Sequence, residues 1–243
     1  MFILYQLRLN FTLTEPFLPK ESERLIVSFL KAAAQKEGRK FFNSMFDKTK
    51  SIAKTFCFSY YLPHPEFCED KILLGAPNFS VFFSDADLEE LFQFYNGFLK
   101  LKNEPYPMKG NAMELNYVSM KKMKEIEDDT VVIKMLSPLV VREHNADTNQ
   151  DRYLLYSDAD FSEMLKKNME TQLKKWGIPL STEGFSITPI KAKKVVIPNF
   201  GQKLDANLGV FKLTGKPELL NFLYQTGLGS RRNEGRGKWE MFF

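Results

Sequence analysis

The residue types best suited to chemistry on phosphate lie near the end of the chain, in GLGSRRNEGRGKW at 227–239. Two Gly-x-Gly pairs, Gly227 with Gly229 and Gly235 with Gly237, enclose a polar pentad that holds Arg231 and Arg232. Arg236 and Lys238 stand in and beside the second pair. Glycine lets a backbone turn through positive φ and lets a second backbone approach closely. Guanidinium forks and backbone N–H groups gathered in such a loop match phosphate oxygens. The spacing is not a dinucleotide fingerprint, which needs a strand before the loop and a helix after it. Here a helix-like run at 216–225 precedes and a strand-like ending at 238–243 follows, without a Walker Lys-Ser/Thr pair. On spacing alone, an ordinary helix-to-strand connection competes with a phosphate grip.

Composition narrows the classes. The 243 residues are 44% hydrophobic and include 23 phenylalanines, ample for one large domain or two small ones. No window offers about 18 apolar residues, so no membrane span is expected. The start lacks the basic, apolar and small-residue succession of a signal peptide. Only Cys57 and Cys68 occur, which read as reduced thiols of a cytoplasmic protein. With two cysteines and His64 and His144 as the two histidines, no metal site and no cofactor are expected. The net charge of +4 is unevenly placed: 186–243 holds ten Lys/Arg against four Asp/Glu. A basic C-terminal quarter on a near-neutral body suggests a polyanion surface, RNA or DNA.

The elements that must position these residues follow from periodicity. A strand is expected at 2–12, where Arg8 and Asn10 alternate with Leu7, Leu9 and Phe11. An amphipathic helix at 21–36 ends at Gly38, and a basic connection with Lys48, Lys50 and Lys54 leads to a strand at 55–62. The runs 71–74 and 78–83 read as a hairpin turning at Gly75-Ala-Pro-Asn. Asp85 reads as the cap of the next helix, and 113–120 as a closing strand. This order is the split βαβ of a ferredoxin-like domain, assigned to 1–124. The acidic turn 125–129 separates it from a second such domain, 130–243. There a strand at 131–141 is interrupted by Pro138, 142–150 is a polar loop, and 152–156 is a short strand. A helix follows Asp158, with Phe161, Met164, Leu165, Met169, Leu173 and Trp176 inward, and stops at Gly177. Strands at 185–190, 192–197 and 208–213, a helix opened by Pro217, the glycine-rich loop 227–237 and a last strand complete an α+β chain. The fold class is thus α+β, two tandem ferredoxin-like, RRM-like domains, with no internal identity repeat.

Several stretches together resemble the CRISPR-associated endoribonucleases of the RAMP superfamily, which cut the repeat RNA of a precursor transcript. They are SPLVVR at 137–142, RYL at 152–154, KVVI at 194–197, GVFKL at 209–213, KPELL at 216–220 and the terminal glycine loop. The strand, Leu18-Pro19 and helix at the start are similar too, so the likeness covers nearly the whole chain. It implies a metal-independent reaction without cofactor, in which a ribose 2′-hydroxyl attacks the adjacent phosphate and leaves a 2′,3′-cyclic phosphate. It also implies repeat RNA as partner, with an interference complex as a further one, in a monomer or homodimer.

The departures from that family are specific. Arg236 stands where the last glycine pair usually encloses an aromatic or apolar residue. Phe46 stands nearest to the histidine that many members use as base, and Phe29 nearest to a frequent tyrosine. Histidine-free relatives rely on lysines and arginine. That assigns Lys54, at the start of a strand, to the phosphate, with Lys50 and then Lys31 as further catalytic candidates. His64, between two prolines, is an outside candidate, and His144 less than that. Arg142, Lys191, Lys193, Lys194, Arg231, Arg232, Arg236 and Lys238 would line a positive groove for RNA. Such contacts give affinity with little sequence information. Tyr5 and Tyr60 face either the core or RNA, and Cys57 reads as core. Phe46 also keeps open a second reading, a silent repeat-binding protein or interference-complex subunit.

Overall fold

In the computed structural model, the described residues are 4–47, 49–50, 52–199 and 202–242. Phe2 and Ile3 of the expected first strand, Lys48 of the basic connection and Phe243 lie outside them. The chain divides into two compact units. One comprises Tyr5–Lys54 and Phe58–Met123; the other comprises Leu4, Thr55–Cys57 and Lys124–Phe243. Among the described residues, no helix is long and apolar enough to cross a membrane.

The first unit runs β1 (Tyr5–Leu13), β2 (Phe17–Pro19), α1 (Ser22–Glu37), α2 (Arg39–Phe46), β3 (Cys57–Tyr61), β4 (Glu66–Phe67), β5 (Lys71–Leu73), β6 (Asn78–Ser84), α3 (Leu88–Lys100), β7 (Pro105–Met108) and β8 (Asn111–Lys122). Its main sheet has the order β3-β6-β1-β8-β7. The four strands β8-β1-β6-β3, with α1 and α3 as crossovers, are the ferredoxin-like order. Alternation decides the faces: Leu7, Leu9, Phe11 and Leu13 are buried, whereas Arg8 and Thr12 are exposed. The core is largely phenylalanine. Phe11 stacks on Phe79 at 4.8 Å, and Phe29 meets Phe11 edge-on at 5.1 Å. Phe83, Phe94 and Phe98 continue the cluster.

Three local expectations for this unit change. The run 71–74 does not pair with 78–83: β5 pairs with β2 and β4, and β6 pairs with β1. The cap of α3 is Asp87, which accepts from Glu90 N at 3.0 Å, while buried Asp85, two residues earlier, accepts from Asp87 N. The connection after Gly38 is helical over α2, because Phe41 and Met45, four residues apart, both find the core.

The second unit runs β9 (Thr130–Met135), β10 (Val141–Asn145), β11 (Gln150–Leu154), α4 (Phe161–Trp176), β12 (Ser186–Asn199), β13 (Gln202–Thr214), α5 (Pro217–Thr226) and β14 (Trp239–Met241). Its sheet order, β12-β13-β9-β14, repeats the same topology. The expected polar loop at 142–150 is instead one arm and the turn of a hairpin, β10-β11, between β9 and α4. The expected strand at 131–141 is two strands that break at Ser137-Pro138 and enter different sheets. The expected strands at 185–190 and 192–197 are one, β12, with a bulge at Ile190. Two buried asparagines organise this unit. Asn207 bonds Leu139 O, Leu154 O and Tyr156 N; Asn221 bonds Ile126 through N–H and carbonyl alike.

Gly97 on α3 sets how closely α1 and α3 approach, since a Cβ there would lie 2.3 Å from Ala33 O. Helix propensity alone favours alanine over glycine by about 1 kcal/mol. The backbone clash should prevail, so Gly97→Ala should destabilise the protein by roughly 1–3 kcal/mol in denaturant titration. A midpoint equal to or above that of the unaltered protein would contradict this packing.

Candidate functional site

The glycine-rich loop leaves α5 at Gly227 and reaches β14 through a short 3-10 turn, Arg232–Glu234. Its backbone is bonded inward. Gly237 N donates to Pro138 O at 2.9 Å, Ser230 N to Val140 O at 2.8 Å, and Leu228 N to Gly237 O at 2.8 Å. Lys238 N donates to Ser137 Oγ at 3.0 Å, and Lys238 O accepts from Leu136 N and Ser137 N. Gln172 of α4 donates to Gly229 O at 2.9 Å. All four glycines take positive φ. At Gly237 a Cβ would lie 1.9 Å from Leu228 O, and at Gly229 2.3 Å from Val140 O. Gly229 therefore serves close packing against Val140 and Gly237 close packing within the loop against Leu228, and several loop N–H groups are already engaged.

The loop's cations divide accordingly. Arg232, Arg236 and Lys238 were expected along a surface groove, but all three are buried. The Arg232 guanidinium lies 4.5 Å over the Trp176 ring and donates to Thr226 O at 3.1 Å. Burial pushes its pKa down to about 10, with the nearby Cys57 acting in the opposite sense. Arg236 donates to Pro198 O at 3.4 Å, and Lys238 is fully enclosed, its ammonium pKa lowered by burial. Arg231 alone of the four is only partly covered; it pairs with Glu234 at 3.2 Å and bonds Tyr153. Composition could count these charges but not the enclosure, which follows from the strand order around β9 and β14.

In the first unit, Lys31 on α1 and Lys54 before β3 converge on one ring. Lys31 Nζ lies 5.8 Å and Lys54 Nζ 5.5 Å from the centre of Phe46, at the end of α2. Both distances are within cation–π range. Lys31 is exposed; Phe46 and Lys54 are half-buried. Lys50 turns instead toward Asp47, 3.9 Å away. The Asp47 carboxyl pKa is lowered, chiefly by its hydrogen bond from the Thr49 hydroxyl. His64 occupies an exposed turn between β3 and β4, at φ 44° and against Gly75, so the described contacts place it outside this cluster. Phe29 is core. Tyr60 accepts from Ser22 and donates to Glu23 Oε1 at 2.8 Å.

The remaining basic residues fall on the second unit's strands. Lys191 and Lys193 share one face of β12; Lys194 is on the other and pairs with Asp205 at 2.8 Å. Arg142 lies on β10 beside His144, across from Asp151 and Tyr153. The sequence shows only the second arm of that hairpin as a strand, and gives no sign of Asn168, which holds the Arg142 backbone through its N–H and its carbonyl.

Two split βαβ units, the second closed by a glycine-rich loop locked on SPLVV, define a tandem ferredoxin-like fold. Residues 121–241 match the family described as CRISPR associated protein Cas6, C-terminal, so this part of the chain is a Cas6 C-terminal domain. The fold is similar to that of a Cas6-related protein from Pyrococcus furiosus, with TM-score 0.85 and 20% identity over 98% of each chain. It is similar to a RAMP protein described as binding different RNA substrates, at 0.80 and 20% identity over 98% of this chain and 100% of that one. A Cas6 product complex gives 0.72 and 12% identity over 99% and 100%. No curated protein matches the chain.

The burial of Arg232 has a measurable consequence. Arg232→Met retains an apolar contact with Trp176 and removes a buried charge, an exchange that is often neutral or stabilising. The variant should keep its thermal midpoint, and its affinity for single-stranded RNA should stay within about twofold. A folded variant that loses tenfold or more would place the guanidinium on the RNA.

Proposed function

We propose that the chain is an endoribonuclease that cleaves CRISPR repeat RNA in precursor transcripts, and that Lys31 and Lys54 carry the phosphate chemistry. The observation that supports this reading is the convergence of the two ammonium groups on Phe46, in a chain with a Cas6 C-terminal domain. Phe46 stands where many relatives of the resembled family have a histidine, so the site keeps its cations and an aromatic floor without an imidazole. RNA supplies its own nucleophile, and holding O2′, phosphorus and O5′ in line accounts for much of the rate. As O2′ attacks, charge gathers on the phosphorane oxygens and its proton passes to solvent. The P–O5′ bond then breaks, and O5′ takes a proton from an ammonium group or from water. Cations fixed beside the phosphate stabilise that charge in the transition state more than in the substrate.

The test uses the intact protein, the repeat RNA of its own CRISPR array, and single-turnover conditions in EDTA. Lys54→Ala and Lys31→Ala should each slow cutting by about 10–1000-fold at saturating protein, with a smaller effect on binding. Phe46→His should raise the rate by about tenfold or more, because a positioned general base contributes on that scale. Unchanged rates in both lysine variants would remove these residues from the reaction.

A further inference from the structure

The β10-β11 hairpin carries a cluster that the cleavage chemistry does not use. Its register sets Arg142 opposite Tyr153 and His144 opposite Asp151. These four side chains share one face, while Glu143 and Arg152 pair on the other. Asp151 Oδ1 lies 2.8 Å from His144 Nδ1 and 2.8 Å from Arg142 Nε. The Arg142 contact is close but too bent for a hydrogen bond, so Nε is left without an aligned acceptor. Arg142 Nη2 is also 3.2 Å from His144 Nδ1. Nδ1 can donate to Asp151 or accept from Arg142, not both.

A proton on each ring nitrogen selects the first arrangement: Nδ1–H is bonded to Asp151, and Nε2–H becomes a second donor. Partial burial pushes the Asp151 carboxyl up, but the hydrogen bond from His144 and the adjacent Arg142 guanidinium charge outweigh it and hold it below the usual carboxylate range. It therefore stays ionised as the imidazole gains its proton.

The cluster is held rather than floating. Asn168 of α4, the helix packed on β10, bonds both backbone groups of Arg142, and Ser230 of the glycine loop bonds Asn168. Arg231 reaches Tyr153 from the same loop and is balanced by Glu234. Its Nε, too, is buried without a hydrogen-bond partner. The charged groups facing His144 are thus Arg142 and Asp151 on the hairpin, with Arg231 and Glu234 beyond Tyr153 and neutral Asn168 from α4. Donors exceed acceptors on this face, and 43% of the His144 side chain is exposed.

We infer that Arg142 and His144 form an RNA phosphate-binding site whose second cation is switched by the protonation of His144, with Asp151 as the orienting carboxylate. This rests on the reading of the chain as an RNA-binding protein and adds a pH-sensitive contact to it. A neutral imidazole leaves one cation at the phosphate; an imidazolium makes two. The contact is formed in acid, where the imidazole carries its second proton, and lost as pH rises.

The experiment is fluorescence anisotropy with the repeat RNA carrying 2′-O-methyl riboses throughout, which retains the phosphates and removes the nucleophile. Between about pH 8 and pH 5.5, affinity should rise roughly 3–10-fold and the salt slope should steepen by about 0.7, one single-strand phosphate contact. His144→Gln should abolish both changes. His144→Lys should bind at the higher pH as the unaltered protein does at the lower one, without pH dependence. Equal pH dependence in the His144→Gln variant and the unaltered protein would overturn the site while leaving RNA binding intact. Absence of binding at either pH would overturn the RNA reading itself.

Discussion

The second unit depends on the seating of the glycine loop against 136–140. Gly237 N, Ser230 N and the Lys238 backbone bond this segment at 2.8–3.1 Å, and Gly229 leaves no room for a side chain beside Val140 O. That segment is where the chain leaves β9 for the hairpin, so one contact fixes the end of the central strand, the start of β14 and the root of β10. Asn207 seals the other side of the same segment through Leu139 O. A backbone brought this close needs its polar groups paired, because an unpaired buried amide costs on the order of 1–3 kcal/mol. The glycines make that pairing sterically open.

Burial of the loop redistributes the basic charge. Arg232 is spent on Trp176 and a backbone carbonyl, and Lys238 on the interior of its unit. What remains toward solvent is smaller and more ordered than the charge count suggests. Arg231 and Arg142 are tied to the hairpin face, Lys191 and Lys193 lie on one side of β12, and Lys194 is drawn to Asp205 on the other. In the first unit Lys31 and Lys54 are gathered on an aromatic ring, whereas Arg24, Lys36, Lys50 and Lys100 are paired with carboxylates.

Much of the architecture was legible in the sequence where one face of an element is apolar. β1 alternates cleanly, α1 and α4 carry apolar stripes, and Pro217 opens α5. Elements with polar residues on both faces were less legible, which is why β10 reads as loop and only the second arm, β11, as a short strand. Gly75-Ala-Pro-Asn imitates a hairpin turn although β5 and β6 belong to different sheets. Gly38 does end α1, but the Phe41–Met45 spacing opens a second helix, α2, directly after it. For the site, resemblance supplied Lys31, Lys54 and Phe46, and no periodicity in the chain would have joined them. Enclosure of Arg232, Arg236 and Lys238 is a tertiary property that local composition does not encode.

The central claim is that this chain breaks RNA by using the RNA's own 2′-hydroxyl at a site built from lysines. The most direct measurement is the chemistry of the ends produced when the protein cuts its cognate repeat in EDTA. The account predicts one cut, a 2′,3′-cyclic phosphate on the upstream fragment and a 5′-hydroxyl on the downstream one. A 3′-hydroxyl with a 5′-phosphate would contradict it, and so would binding of the cognate repeat without any cut.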